Sequence, residues 1–119
     1  MGNLQKYGLL AIKIFLTLAF FAAGLAKLAG VEMMVQTYEA IGVGQWFRYL
    51  TGLIEIGSAV LLWVPGRQLL GAALLFCTMV GAVLAHLLIL GPSALPAVVL
   101  GVLAAIMAYS HRDQPLLNS

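Results

Sequence analysis

Charge is what this chain has least of. Six basic and four acidic side chains are spread over 119 residues, 8% of the total, where a soluble domain carries about 25%. With 63% of its residues hydrophobic, a soluble protein of this length would have too little polar surface to cover itself. The net charge of +2 is small and dispersed, so no basic face is available for nucleic acid and nothing argues for DNA or RNA as a partner. Cysteine is almost missing too. Cys77 stands alone in an apolar run, which rules out an intrachain disulfide, a C-x-x-C couple and any dithiol chemistry carried by this chain alone. Cys77 itself reads as a small packing residue. There is no phosphate-binding loop and no serine in a nucleophile motif. Histidine and acids are too sparse for the four ligands of a structural zinc site. The chain therefore holds no self-contained catalytic motif: no catalytic residue and no metal ligand is assigned, and it leans away from being an enzyme by itself.

What is present is apolar length. The mean hydropathy is +1.06, and four runs come near the roughly 20 residues that cross a bilayer as a helix. The sequence predicts one all-α membrane domain over residues 1–119, a polytopic four-transmembrane-helix bundle with spans at 7–28, 46–64, 68–90 and 93–109 and a tail at 110–119. The first run is too long for the apolar core of a signal peptide and has Lys13 inside it, so it reads as a retained helix. On that helix Lys13, Thr17, Phe20, Gly24 and Lys27 recur at spacings that share one face. Lys13 reads as a snorkelling cation. For Lys27, snorkelling and pairing with a buried acid stand equally open.

The stretch from Trp46 to Trp63 organises the rest. It has an aromatic residue at each end and Glu55 in its middle. A rise of about 1.5 Å per residue puts that carboxylate about 13 Å deep, near the bilayer midplane. A lone charge there costs at least about 2.5 to 3.5 kcal/mol, so it needs a partner, a proton or water. Arg48, Thr51, Glu55 and Ser58 line one face, with Gly52 and Ala59 beside them; such a stripe must point into the bundle. Between the first two spans, residues 30–45 mix Glu32, Gln36, Thr37, Tyr38 and Glu39 with Met33, Met34, Val35 and Ile41. That mixture predicts a short amphipathic segment at the membrane surface, ended by Gly42 and Gly44, and a natural lid. Pro65, Gly66 and Arg67 form a tight turn that makes the second and third helices antiparallel neighbours. The third span is rich in small residues and puts Thr78, Ala82 and His86 on one face. Gly91, Pro92, Ser93 and Pro96 make the last turn. Ala97, Gly101 and Ala105 form a small-residue ridge on the fourth span. The tail from His111 onward reads as frayed.

Lys6, Lys13, Arg67 and Arg112 fall on the side that holds both termini, against Lys27 and Arg48 on the other. The positive-inside rule then places both termini in the cytoplasm. Lys27, Arg48 and His86 consequently sit toward the outer leaflet above Glu55, roofed by the 30–45 segment. The candidate ligand- or partner-binding set is Lys27, Arg48, Glu55 and His86, with Tyr38 and Thr51, and the arrangement reads as a funnel for an anion or a polar head group. The same groups could equally satisfy one another and fix helix register.

Three stretches carry a resemblance: FFAAGLAKL at Phe20 to Leu28, GLIEIGSAVLLWVPGR at Gly52 to Arg67, and LGAALLFCTMVGAVLAHL at Leu70 to Leu87. Together they resemble the DoxX-like family of small four-helix integral membrane proteins. The family's G-x-x-K-L and G-x-x-E patterns carry over to Gly24, Lys27, Gly52 and Glu55, and His86 fits a common polar position late in the third helix. The resemblance implies a bacterial inner-membrane protein. Family members include subunits of thiosulfate:quinone oxidoreductase, proteins of membrane redox complexes, a receptor-assembly chaperone and a cargo receptor. The chain has the minimal membrane domain without an appended redox domain, so the leading expectation is a non-catalytic accessory module that holds a lipid, a quinone or a partner helix. The alternatives are a subunit of a quinone-linked oxidoreductase, an assembly factor or a small transporter. Membrane lipid, a membrane protein partner and a homodimer are the partners this allows.

Overall fold

The computed structural model describes residues 2–91 and 94–114. Pro92 and Ser93 of the last predicted turn, the first residue of the fourth predicted span, and tail residues 115–119 lie outside the described residues. Within them the chain is all-helical. Five helices follow in order: α1 (Asn3–Ala29), α2 (Glu32–Ile41), α3 (Gln45–Leu61), α4 (Gln68–Ala85) and α5 (Leu95–Ser110), with a π-helical turn (His86–Leu90) continuing α4.

Local chemistry explains where each helix stops. Gly30, at φ 74°, ends α1 by entering the left-handed region, and the Val31 N–H returns to the Ala26 carbonyl, closing the end with a Schellman-type bond that glycine permits cheaply. Gly42 ends α2 at φ 85°, with its own N–H on the Tyr38 carbonyl at 3.2 Å. The turn from Val64 to Arg67 is closed by the Arg67 N–H on the Val64 carbonyl at 3.0 Å, with Gly66 at φ 81°. Pro96 falls in the first turn of α5, where a missing N–H costs nothing.

The stretch Gln68–Leu90 (α4 with its π turn) and α1 are each long and apolar enough to cross a membrane, and only 11% and 17% of their most apolar windows are buried. A soluble core helix would hide that surface; these two turn it outward. Among the shorter helices α5, with 16 residues, is apolar, whereas α3, with 17, carries Arg48 and Glu55 and ends at Leu61, before the Leu62–Arg67 corner.

Helix α1 packs against α3, α3 against α4, and α4 against α5, while α2 lies over α3 and the π turn. The core that joins them holds Leu16, Phe20, Ala59, Leu62, Leu75 and Met107 with small residues between. Glycines set the approach distances. A Cβ on Gly24 would stand 2.8 Å from the Gly52 carbonyl oxygen and 2.5 Å from Ile56 Cγ1, and one on Gly71 would stand 2.7 Å from the Ser58 carbonyl oxygen. On α5 the buried ridge is Ala97, Gly101, Ala104 and Met107, so Ala104, not Ala105, follows Gly101 inward.

The described part of the tail is tied down, contrary to the expectation of fraying. Gln114 donates to Gln68 Oε1 at 2.6 Å and accepts from the Leu69 N–H at 3.0 Å. It thereby satisfies a free amide at the start of α4.

Candidate functional site

The site follows from the crossing of α1 and α3. Gly24 and Gly52 bring the two backbones together, and the residue three positions on from each, Lys27 and Glu55, leaves the crossing on the same side. Lys27 Nζ reaches Glu55 Oε1 at 2.8 Å, with only 12% and 2% of the two side chains exposed. Among the described residues no other donor reaches Oε1. The predicted stripe of α3 is the buried one: Arg48, Gly52, Glu55, Ser58 and Ala59 are buried, with Thr51 partly so.

Arg48 does something the sequence did not predict. It was expected above Glu55 as a third cation. Its guanidinium instead hydrogen-bonds through Nη1 to the Lys27 carbonyl and through Nε to Gln45 Oε1 at 2.8 Å, and it stacks on the Tyr49 ring at 4.4 Å. The reason is the position of that carbonyl at the C-terminal end of α1, where it accepts only a long bond of 3.3 Å from the Gly30 N–H, carries negative character and draws a cation. Gly30 makes room, since a Cβ there would stand 3.4 Å from Arg48 Nη1. Arg48 is therefore a clamp on the end of α1, and the funnel of three cations is not formed.

Below α2 lies a cleft of about 360 Å³. Lys27 and Glu55 line it, as do Tyr38, Thr51 and His86; of the six residues singled out by sequence, Arg48 is the one that does not. Met34, Thr37 and Ile41 roof it from α2. Phe47 and Ile54 join from α3. Cys77, Thr78, Gly81 and Ala82 join from α4. The threonines spend their donors on their own helices: Thr51 on the Phe47 carbonyl, Thr37 on Met33 and Thr78 on Leu74, each at 2.8 Å. His86 opens the π turn, whose end is closed by the Gly91 N–H on the His86 carbonyl at 2.9 Å. Such turns widen a helix by one residue and often coincide with functional positions. The imidazole Nδ1 is buried and has no hydrogen-bond partner among the described residues.

Sequence reasoning missed two contributors that carry a heteroatom. Cys77 is exposed and borders the cleft instead of packing in the core; its i, i+4, i+8 relation to Gly81 and Ala85 could have shown this. Thr37 was seen as part of the amphipathic segment, but the side of α2 that faces the cleft depends on tertiary packing.

A second polar group sits at the other end of the α1–α3 pair. Trp63 Nε1 donates to Thr17 Oγ1 at 2.8 Å, and Lys13 Nζ lies 4.4 Å over the Trp63 ring. Lys13 is thus held by an aromatic face. Beside it, burial pushes the His111 imidazole below its ordinary value, and the Lys13 charge adds to the effect.

No solved structure matches the chain. A Bacillus subtilis (strain 168) protein named "Putative oxidoreductase CatD" is 27% identical over 84 residues, which cover 71% of this chain and 63% of that protein; the chain thus spans less than two thirds of that relative's length. The model of the DoxX-like family matches residues 11–109, from the first turns of α1 to the end of α5, and the chain belongs to that family.

Proposed function

We propose that this protein is a non-catalytic binding module of the bacterial inner membrane, a four-span bundle with both termini cytoplasmic, that holds the head of an amphiphilic molecule under α2. The observation that carries this reading is the cleft itself: largely apolar walls enclosing one buried ion pair, Lys27–Glu55, and an unpartnered imidazole nitrogen on His86. Apolar pockets with a few convergent polar groups are the usual form of a small-molecule site. Lipid and quinone both combine an apolar body with a polar head that such walls accept.

A bound quinone would supply two-electron redox chemistry. His86 and Lys27 would offer hydrogen bonds to its oxygens, and the apolar residues of α2 and α4 would cover the ring and exclude water. The family and the name of the Bacillus subtilis relative favour this as the second reading, a subunit of a quinone-linked oxidoreductase. Native mass spectrometry and organic extraction of the purified chain test both readings. Co-purification of a lipid or quinone that is lost in Lys27→Ala and changed in amount or identity in Glu55→Gln is the expected result. Unchanged bound material and unchanged thermal stability in both variants would remove the proposal.

A further inference from the structure

The charge inside the cleft cancels itself. Lys27 and Glu55 are in contact at 2.8 Å, and Arg48 is drawn away to the Lys27 carbonyl, Gln45 and Tyr49. Apart from His86, the other described lining residues are apolar or hydroxyl-bearing. A phosphate or carboxylate entering here would meet an ammonium already committed to a carboxylate, and that carboxylate would repel it at nearly the same distance. A cationic head would meet the mirror image of this arrangement.

What remains to hold a ligand is unused hydrogen-bonding capacity. His86 Nδ1 is buried without a partner, which costs free energy until something bonds to it. An ammonium has three donors, and contact with Glu55 leaves capacity on Lys27. The threonine donors are spent on helix carbonyls. The groups that complement this set are oxygens able to accept from an ammonium or bond an imidazole nitrogen, which describes carbonyls and hydroxyls. A hydroxyl serves either imidazole tautomer; a carbonyl serves the one protonated at Nδ1.

Resting on the reading of the cleft as a ligand site, we propose that its ligand is an electrically neutral amphiphile whose carbonyl or hydroxyl oxygens are hydrogen-bonded by the Lys27 ammonium and the His86 imidazole. Glu55 is the residue that excludes anionic lipids. Neutral glycerolipids and quinones share this chemistry; phospholipids with a net negative head do not.

The test uses the full chain in a non-ionic detergent, with binding measured by native mass spectrometry for three probes: dioctanoylglycerol, dioctanoyl phosphatidate and a decyl-substituted benzoquinone. The first two differ only in the phosphate. At least one neutral probe is expected to bind about tenfold or more tighter than phosphatidate, and which of the two binds better separates a glycerolipid from a quinone. Glu55→Gln releases Lys27 and is expected to reverse the preference toward phosphatidate. His86→Leu is expected to weaken the neutral probe about three- to tenfold, as loss of one hydrogen bond does, with His86→Gln retaining more of it. Phosphatidate binding as tightly as the neutral probes to the unaltered chain would overturn the inference while leaving the cleft a ligand site. Binding of none of the three would overturn that reading as well. The unaltered chain decides between these outcomes even where a variant fails to fold.

Discussion

The α1–α3 pair and the α4–α5 pair are both helix contacts built on glycine, and they have opposite chemical character. In the first, the glycines of both helices touch the partner's backbone, and a charged residue follows each by one turn. In the second, Gly101 sits where a Cβ would come no nearer than 3.3 Å to Met79 Cβ, and Ala97, Ala104 and Met107 complete an apolar seam. Close approach is therefore not what makes a site. It becomes one where each helix presents an ionisable group just beyond the crossing, because two backbones in contact leave no room for water to serve either charge.

The sharpest way to break this contrast is to take one charge out of the first pair. Lys27→Ala leaves Glu55 buried and unpaired, and is expected to cost about 3–5 kcal/mol of stability. The double replacement Lys27→Met with Glu55→Leu should recover most of it, since a buried pair exchanged for apolar side chains of similar volume is often close to neutral. Denaturant unfolding in detergent micelles measures both; a single variant as stable as the parent would show that the pair carries no structural role. Next in size comes Gly24→Ala. Its new methyl would press on Ile56 and on the backbone of Gly52, and about 1–3 kcal/mol is expected. Gly101→Ala needs Met79 to give by only a few tenths of an ångström and should cost less than about 1 kcal/mol. Equal losses in the same unfolding assay would erase the distinction between the pairs.

The smallest effect lies where α1 meets the end of α5. Burial and Lys13 hold His111 below its ordinary value, so the folded state prefers the neutral ring. Any stability that depends on this group is complete above pH about 6.5 and is lost as pH falls through the lowered folded value. Removing the neighbouring charge with Lys13→Ala should raise the His111 value, though not fully, because burial is the larger cause. An NMR titration of the imidazole protons reads the change, and an unmoved midpoint would show that the two groups do not interact.

Much of this was legible in the residues because spacing on a helix is a strict ruler. Gly24 with Lys27 and Gly52 with Glu55 declare a shared face without any tertiary information, and the buried stripe of α3 could be read from its polar side chains alone. The partner of Arg48 could not. Its choice was between a carboxylate deeper in its own helix and a carbonyl at the end of a different one, and helix spacing says nothing about the carbonyls that end a neighbour. The π turn was hidden for a related reason: nothing in the HLLIL run marks the change of hydrogen-bond register that begins at His86. The anchoring of Gln114, the last described residue of the tail, was hidden because it looks like an ordinary solvated residue until the start of α4 is placed beside it.

The Lys27–Glu55 contact also bears on how such a chain is made. Its two members lie on consecutive long helices, joined by α2, and neither can enter lipid cheaply alone. In the proposed four-span arrangement the nascent first helix would need to wait near the translocon's lateral opening until its acidic counterpart has been synthesised, so that the pair is released as a neutral hairpin rather than one segment at a time.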